Sequence, residues 1–108
     1  MNRATQAKLL RIHVSESDRF GGKPLYEAIV DKCRELGIAG ATALRGVEGY
    51  GEADELHGAG LLRRDQPVVI SIVDTADHMA RLIPEVEKMA PGVMALSDVK
   101  VIRVQQGA

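Results

Sequence analysis

The sequence predicts an α+β sandwich of order β-α-β-β-α-β, in which an antiparallel sheet carries two helices on one face. Three observations predict it. Four segments alternate apolar and polar residues with the two-residue period of a strand: AKLLRIHV at 7–14, GATALRGV at 40–47, PVVISIVD at 67–74 and DVKVIRV at 98–104. Two further segments, from Pro24 to Gly37 and from about Asp74 to the PG at 91–92, carry apolar residues at helical spacing. The order strand, helix, strand then occurs twice in 108 residues, a length that holds one domain and one modest core.

In the first strand Leu10, Ile12 and Val14 fall on one face and Leu9, Arg11 and His13 on the other. Pro24 can open the first helix, where a missing N–H costs nothing, and Gly37 can close it in a left-handed cap. Leu25, Ile29, Cys33 and Leu36 form its apolar stripe, widened by Tyr26 and Val30. The third strand is rich in β-branched residues, and Pro67 suits its first position. Thr75 or Asp74 can cap the second helix, whose stripe is Met79, Leu82, Ile83, Val86 and Met89. Pro84 removes a backbone donor there and is expected to bend the helix without breaking it. VMAL at 93–96 reads as a short extra strand before the last one, and residues 1–6 are expected to be disordered. Two tandem β-α-β units give the split arrangement of the ferredoxin-like sandwich.

With Leu10, Ile12, Val14, Val68, Ile70 and Ile72 under the helices, the other face of the sheet is expected to hold Ala41, Ala43, Val69, Ser71 and Val73 beside Leu9, Arg11 and His13. That face is too apolar to be washed by water, so a partner subunit is expected to cover it. Composition excludes several functions. Fourteen basic against fifteen acidic residues, a net charge of −1, give no global case for nucleic acid or an anionic membrane. Three aromatic residues, Phe20, Tyr26 and Tyr50, do not make a base-stacking platform. Cys33 has no cysteine to pair with, and no apolar run approaches ~20 residues or reads as a signal peptide, so a soluble cytoplasmic protein is expected.

Between the second and third strands lies RGVEGYGEADELHGAGLLRRD, at 45–65. Connections this long are uncommon in compact domains and tend to be functional. Gly46, Gly49 and Gly51 permit positive φ angles, and successive N–H groups in such a turn form a nest suited to an anion, although glycine-rich turns are more often turns alone. Arg45 shares its strand face with Ala41, Ala43 and Val47; burial there would oblige it to find a salt-bridge partner across a subunit interface or a ligand anion. Arg63 and Arg64 read as solvated loop charges.

GKPLYEAIV, GIAGATALRGVEGYG, LHGAGLL and QPVVISIVD together resemble a family of small PII-like proteins, the domain-of-unknown-function 190 family of the nitrogen regulatory PII superfamily. The resemblance runs from Leu10 to about Val104 and implies a PII-like ferredoxin sandwich assembled as a homotrimer, with effectors in the clefts between subunits. It implies that the 48–64 loop contacts a target protein, such as a membrane transporter. It also implies ligand-facing amides at Gly49, Tyr50 and Gly51, an arm through His57 and Gly58, and a phosphate contact at Arg103 in VIRV. Two departures matter. Gln105 stands where the PII pattern has a second arginine, and APGVMALSD lacks the lysine-rich phosphate loop. The implied effector is thus a small anion or an adenine nucleotide with fewer phosphates than ATP.

Other chemistries compete. No two of His13, His57 and His78 have metal-site spacing, yet trimer symmetry could gather three copies of His57, in a metal-binding trimer resembling the copper-tolerance proteins. Cys33 on its helix stripe reads as a core residue. An enzyme with an intersubunit cleft would need a base and nucleophile, and none is recognisable unless His13, Glu48 and Asp74 converge. The expectation is therefore a binding protein without catalysis.

Overall fold

The computed structural model describes residues 2–46, 66–90 and 92–104. Its elements are β1 (Asn2–Ser15), β2 (Arg19–Phe20), β3 (Lys23–Pro24), α1 (Leu25–Glu35), β4 (Ala41–Arg45), β5 (Pro67–Asp74), α2 (Ala76–Met89) and β6 (Val93–Val104). The main sheet has the order β4-β5-β1-β6, every pair antiparallel, with both helices on one face. This is the ferredoxin-like α+β fold read from the sequence.

Leu10 lies opposite Ile72 and Leu96, and Ile12 opposite Ile70 and Met94, so one register fixes the core face of three strands. Leu10, Ile12, Ile70 and Ile72 are buried against Ile29 of α1 and Met79, Leu82 and Val86 of α2. Each such side chain contributes about 1.5–3 kcal/mol of burial free energy.

The ends of the helices follow their sequences. Gly37 takes φ 74°; its N–H donates to Arg34 O at 3.1 Å and that of Ile38 to Cys33 O at 2.9 Å, the paired bonds of a Schellman closure. Ile38 and Cys33 pack in the same core cluster, which supplies the apolar contact of that motif. Thr75 caps α2, its hydroxyl accepting from the His78 N–H at 3.2 Å. The helix continues through Pro84, which is exposed, so the carbonyl that loses its donor faces solvent rather than the core.

Three expectations need correction. Residues 2–6 are not disordered but continue β1, because β6 extends far enough to pair with them, from Gln6↔Lys100 to Asn2↔Val104. VMAL is no separate strand: β6 runs unbroken through Asp98, whose carboxylate meets the Lys8 ammonium across the ladder. Ala41 and Ala43 lie on the helix face and not on the open one, since they stand opposite Ile72 and Ile70. Thr42 and Leu44 take the places on the open face, opposite Ser71 and Val69. The segment SESDRFGG, between β1 and α1, is itself structured. Arg19–Phe20 and Lys23–Pro24 form a small antiparallel pair around Gly21 and Gly22, at φ 59° and 83°, which a residue with a Cβ rarely adopts.

Candidate functional site

The long connection leaves the sheet at Gly46 and returns at Gln66, and both roots are fastened. The Gly46 N–H donates to Pro67 O at 2.6 Å, and the Glu16 N–H donates to Gln66 O at 2.9 Å. A Cβ at residue 46 would stand 2.7 Å from Pro67 Cγ, so the close approach of the two strands here requires glycine. Glu16 is itself held in a turn, where the Ser15 N–H donates to Asp18 Oδ2 at 2.9 Å and the Asp18 N–H to Ser15 O at 3.0 Å. Arg45 is 60% exposed and its Nε pairs with Glu16. The guanidinium therefore needs no partner from another subunit, contrary to the burial expected from its alanine neighbours. Arg45 stands at the last position of an edge strand, where among the described residues no neighbouring strand covers it. An ion pair this exposed contributes little to stability, so the arginine can exchange Glu16 for another anion at small cost.

Gly49, Tyr50, Gly51, His57 and Gly58, with Glu48, Arg63, Arg64 and Gln105, lie outside the described residues. Arg103 is described, exposed, and near the end of β6, opposite Arg3. Arg45, through Val68, lies level with Val14, whereas Arg103 lies level with Arg3. Eleven residues of β1 separate those levels, and at ~3.3 Å per residue Arg45 and Arg103 of one chain are roughly 36 Å apart along the strand direction alone. No single small ligand can touch both within one chain. Residues 2–7 of β1 pair with β6 alone, so Arg103 rides on a two-stranded arm that projects past the four-stranded part of the sheet.

At the opposite end of β5 from the loop roots, Asp74 is a polar residue in a largely apolar interior. Its carboxylate accepts from the Ala39 N–H at 2.9 Å, the Thr75 N–H at 2.7 Å and His78 Nδ1 at 2.9 Å. Burial on its own would raise the pKa, but the bonds from Ala39, His78 and Thr75 outweigh it and hold the carboxyl below its ordinary value. The group ties α2 to the α1–β4 turn. Thr75 announces the cap in the sequence but not the clamp, whose available signal is DTADH, with carboxylate and imidazole four apart at a helix start.

The remaining candidates do not converge. His13 is on the open face of the sheet between Val69 and Val93, while Asp74 lies opposite Lys8 on the helix face. Burial raises the Cys33 thiol to about 11, so it stays protonated and is not poised for nucleophilic attack. Among the described residues no three His, Cys, Asp or Glu side chains are grouped to hold a metal. A groove of about 280 Å³ runs between α1 and the edge strand β4, floored by Ala41 and Ala43 and walled by Tyr26, Val30 and Arg34, with Glu27 and Asp31 on its rim. Among the described residues no helix is long and apolar enough to cross a membrane.

Among the described residues, a ferredoxin-like sheet with one face uncovered, a projecting β1–β6 arm and a long connection rooted at Gly46 and Gln66 make up a PII-like fold. Residues 7–101 match the DUF190 family model, described as "Uncharacterized ACR", and the chain belongs to that family. A UPF0166 protein of Aquifex aeolicus (strain VF5) is 38% identical over 102 residues, covering 93% of this chain and 97% of that protein. In fold the chain is similar to CPII of Thiomonas intermedia K12, a nitrogen regulatory PII-like protein, whose apo form gives a TM-score of 0.64 at 18% identity and covers 96% of this chain and 100% of its own. The structure of CPII bound to ADP, AMP and bicarbonate gives a TM-score of 0.63 at 16% identity, covering 92% and 98%.

Proposed function

We propose that this protein is a PII-like regulatory binding protein. It takes a small anionic effector, an adenine nucleotide with fewer phosphates than ATP or bicarbonate, at clefts between the subunits of a homotrimer. One observation carries this reading: Arg45 at the loop root and Arg103 on the arm are too far apart to serve one ligand within a chain. Placed end to side in a ring, the arm of one chain brings its Arg103 to the loop root of the next. The ligand is then held by arginines of two subunits together with the backbone amides of the glycine-rich segment 46–51.

The exposed sheet face supports closure of such a ring. Leu44, Val73 and Val93 are 59%, 39% and 48% exposed on it, apolar area that burial between subunits would stabilise. That CPII has been seen with ADP, AMP and bicarbonate agrees with the ligand class. Residues 48–64 would then contact a target protein, with a membrane transporter as the candidate target, and effector binding at the root would bias the conformation of that segment. The reading is of binding, not catalysis, in the cytoplasm.

Isothermal titration of the full chain with ADP, AMP and bicarbonate, together with sedimentation equilibrium, tests it. The expected result is a trimer with saturable binding of at least one of these, lost in Arg45→Gln and in Arg103→Gln. A monomer, or no heat with any of the three, overturns it.

A further inference from the structure

We propose that the open face of the sheet carries a second anion site, for a tetrahedral oxyanion, centred on Arg11. The register aligns Thr42, Ser71, Arg11 and Ala95 in one row that crosses all four strands. The row on one side is Leu44, Val69, His13 and Val93; on the other side lie Val73, Leu9 and Ser97. A single guanidinium thus stands beside two hydroxyl-bearing residues, and the flanking rows are apolar apart from His13 and Ser97.

Among the described residues this face has no carboxylate to neutralise it. Glu16 and Asp18 lie in the turn after β1, Glu27, Asp31 and Glu35 on α1, and Asp77, Glu85 and Glu87 on α2. Asp74 and Asp98 both stand in register with Lys8, on the helix face. The absence is not compositional, since the chain has a net charge of −1. Arg11 makes no ion pair with any described residue. The basic groups on β1 and β4 that do have carboxylate partners, Lys8 and Arg45, belong to the other face.

Strands are spaced ~4.8 Å apart, so Ser71 lies about one spacing and Thr42 about two spacings from Arg11. An ion lying over Ser71 can accept a bidentate pair from the guanidinium on one side and hydroxyl donors from below and from the far side. A carboxylate would be satisfied by the fork alone and would leave the hydroxyls idle; an ion with oxygens in four directions uses all three groups. His13, one row away, adds an imidazole N–H within reach. The site is built within one chain and does not depend on the assembly proposed above. In that assembly a bound oxyanion offsets the desolvation of Arg11 when the face is covered.

Titration with inorganic phosphate in phosphate-free, low-salt buffer, followed by amide NMR of the full chain, tests the site. Saturable shifts are expected at Thr42, Ser71 and Arg11. Arg11→Gln should weaken binding about tenfold or more, Ser71→Ala about threefold, and Arg81→Gln, an exposed arginine on α2, not at all. Arg11→Lys should retain part of the affinity, because the charge remains and the fork is lost. ADP titrated in parallel separates the source of the oxyanion. If Arg11→Gln weakens ADP and phosphate alike, the site takes a phosphoryl group of a nucleotide; if phosphate alone, it takes the free ion. Arg45→Gln should affect ADP only, so failure of the intersubunit reading is distinguishable from failure of this one. No saturable shift with phosphate, or equal affinity in the wild type and Arg11→Gln, overturns the proposal.

Discussion

Replacing Asp74 by alanine removes the acceptor of three hydrogen bonds at once, those from Ala39 N–H, Thr75 N–H and His78 Nδ1. A bond to a charged acceptor contributes roughly 1.5–3 kcal/mol net, and the exposed Ala39 and Thr75 amides recover part of the loss by hydration, so the expected destabilisation is about 2–4 kcal/mol. For a chain of 108 residues that is a fall in Tm of about 10–20 °C. Asp74→Asn, which keeps one oxygen in place, should lose roughly half as much. The pH dependence has a definite sign. The folded-state carboxyl lies below its ordinary value, so its stabilisation is complete above the unfolded pKa of ~3.9 and is lost as pH falls through the lower folded value. Urea denaturation followed by circular dichroism, at one protein concentration, should show a gap between wild type and Asp74→Asn that persists at pH 5 and above and narrows below about pH 4. A loss under about 0.5 kcal/mol for Asp74→Ala, or a gap that does not narrow at pH 3, would refute the clamp.

Gly46→Ala should destabilise the loop root by roughly 1–3 kcal/mol in the same urea assay, because its Cβ would stand 2.7 Å from Pro67 Cγ in a ring that cannot swing aside. Gly37→Ala has open space around it but φ 74°, so it should cost about 1–2 kcal/mol from backbone strain alone, and Gly37→Asn visibly less. Cys33, with its pKa raised to about 11, should react with a thiol reagent at pH 8 slowly in the native state and fast once denaturant opens the core.

What the sequence revealed of the fold was what local chemistry dictates. Pro67–Asp74 was legible to the residue because β-branched alternation and Pro67 mark its beginning, and Gly37 and Thr75 announced the helix ends. What it hid depends on pairing between distant segments. Asn2–Gln6 is polar and carries no strand signal of its own; β6 orders it. Asp98 read as a strand start because its neutralising Lys8 lies ninety residues away. The face of Ala41 and Ala43 is not legible in the pattern, because alanine contrasts too little with Thr42 to declare which side is buried. In the site, the fastening of the loop roots was foreshadowed by Gly46, but the partnership of Arg45 with Glu16 was not, since nothing near Arg45 in sequence points to the turn after β1.

The central claim is that Arg45 and Arg103 of different subunits serve one ligand, and subunit mixing tests it most directly. Arg45→Gln and Arg103→Gln chains, each expected to have lost ADP binding, are unfolded together in equal amounts and refolded. A seam needs Arg45 from one chain and Arg103 from its neighbour, so random mixing in a cyclic assembly should restore about a quarter of the wild-type sites. Recovery of no sites from the mixture, with both variants folded, would contradict the account.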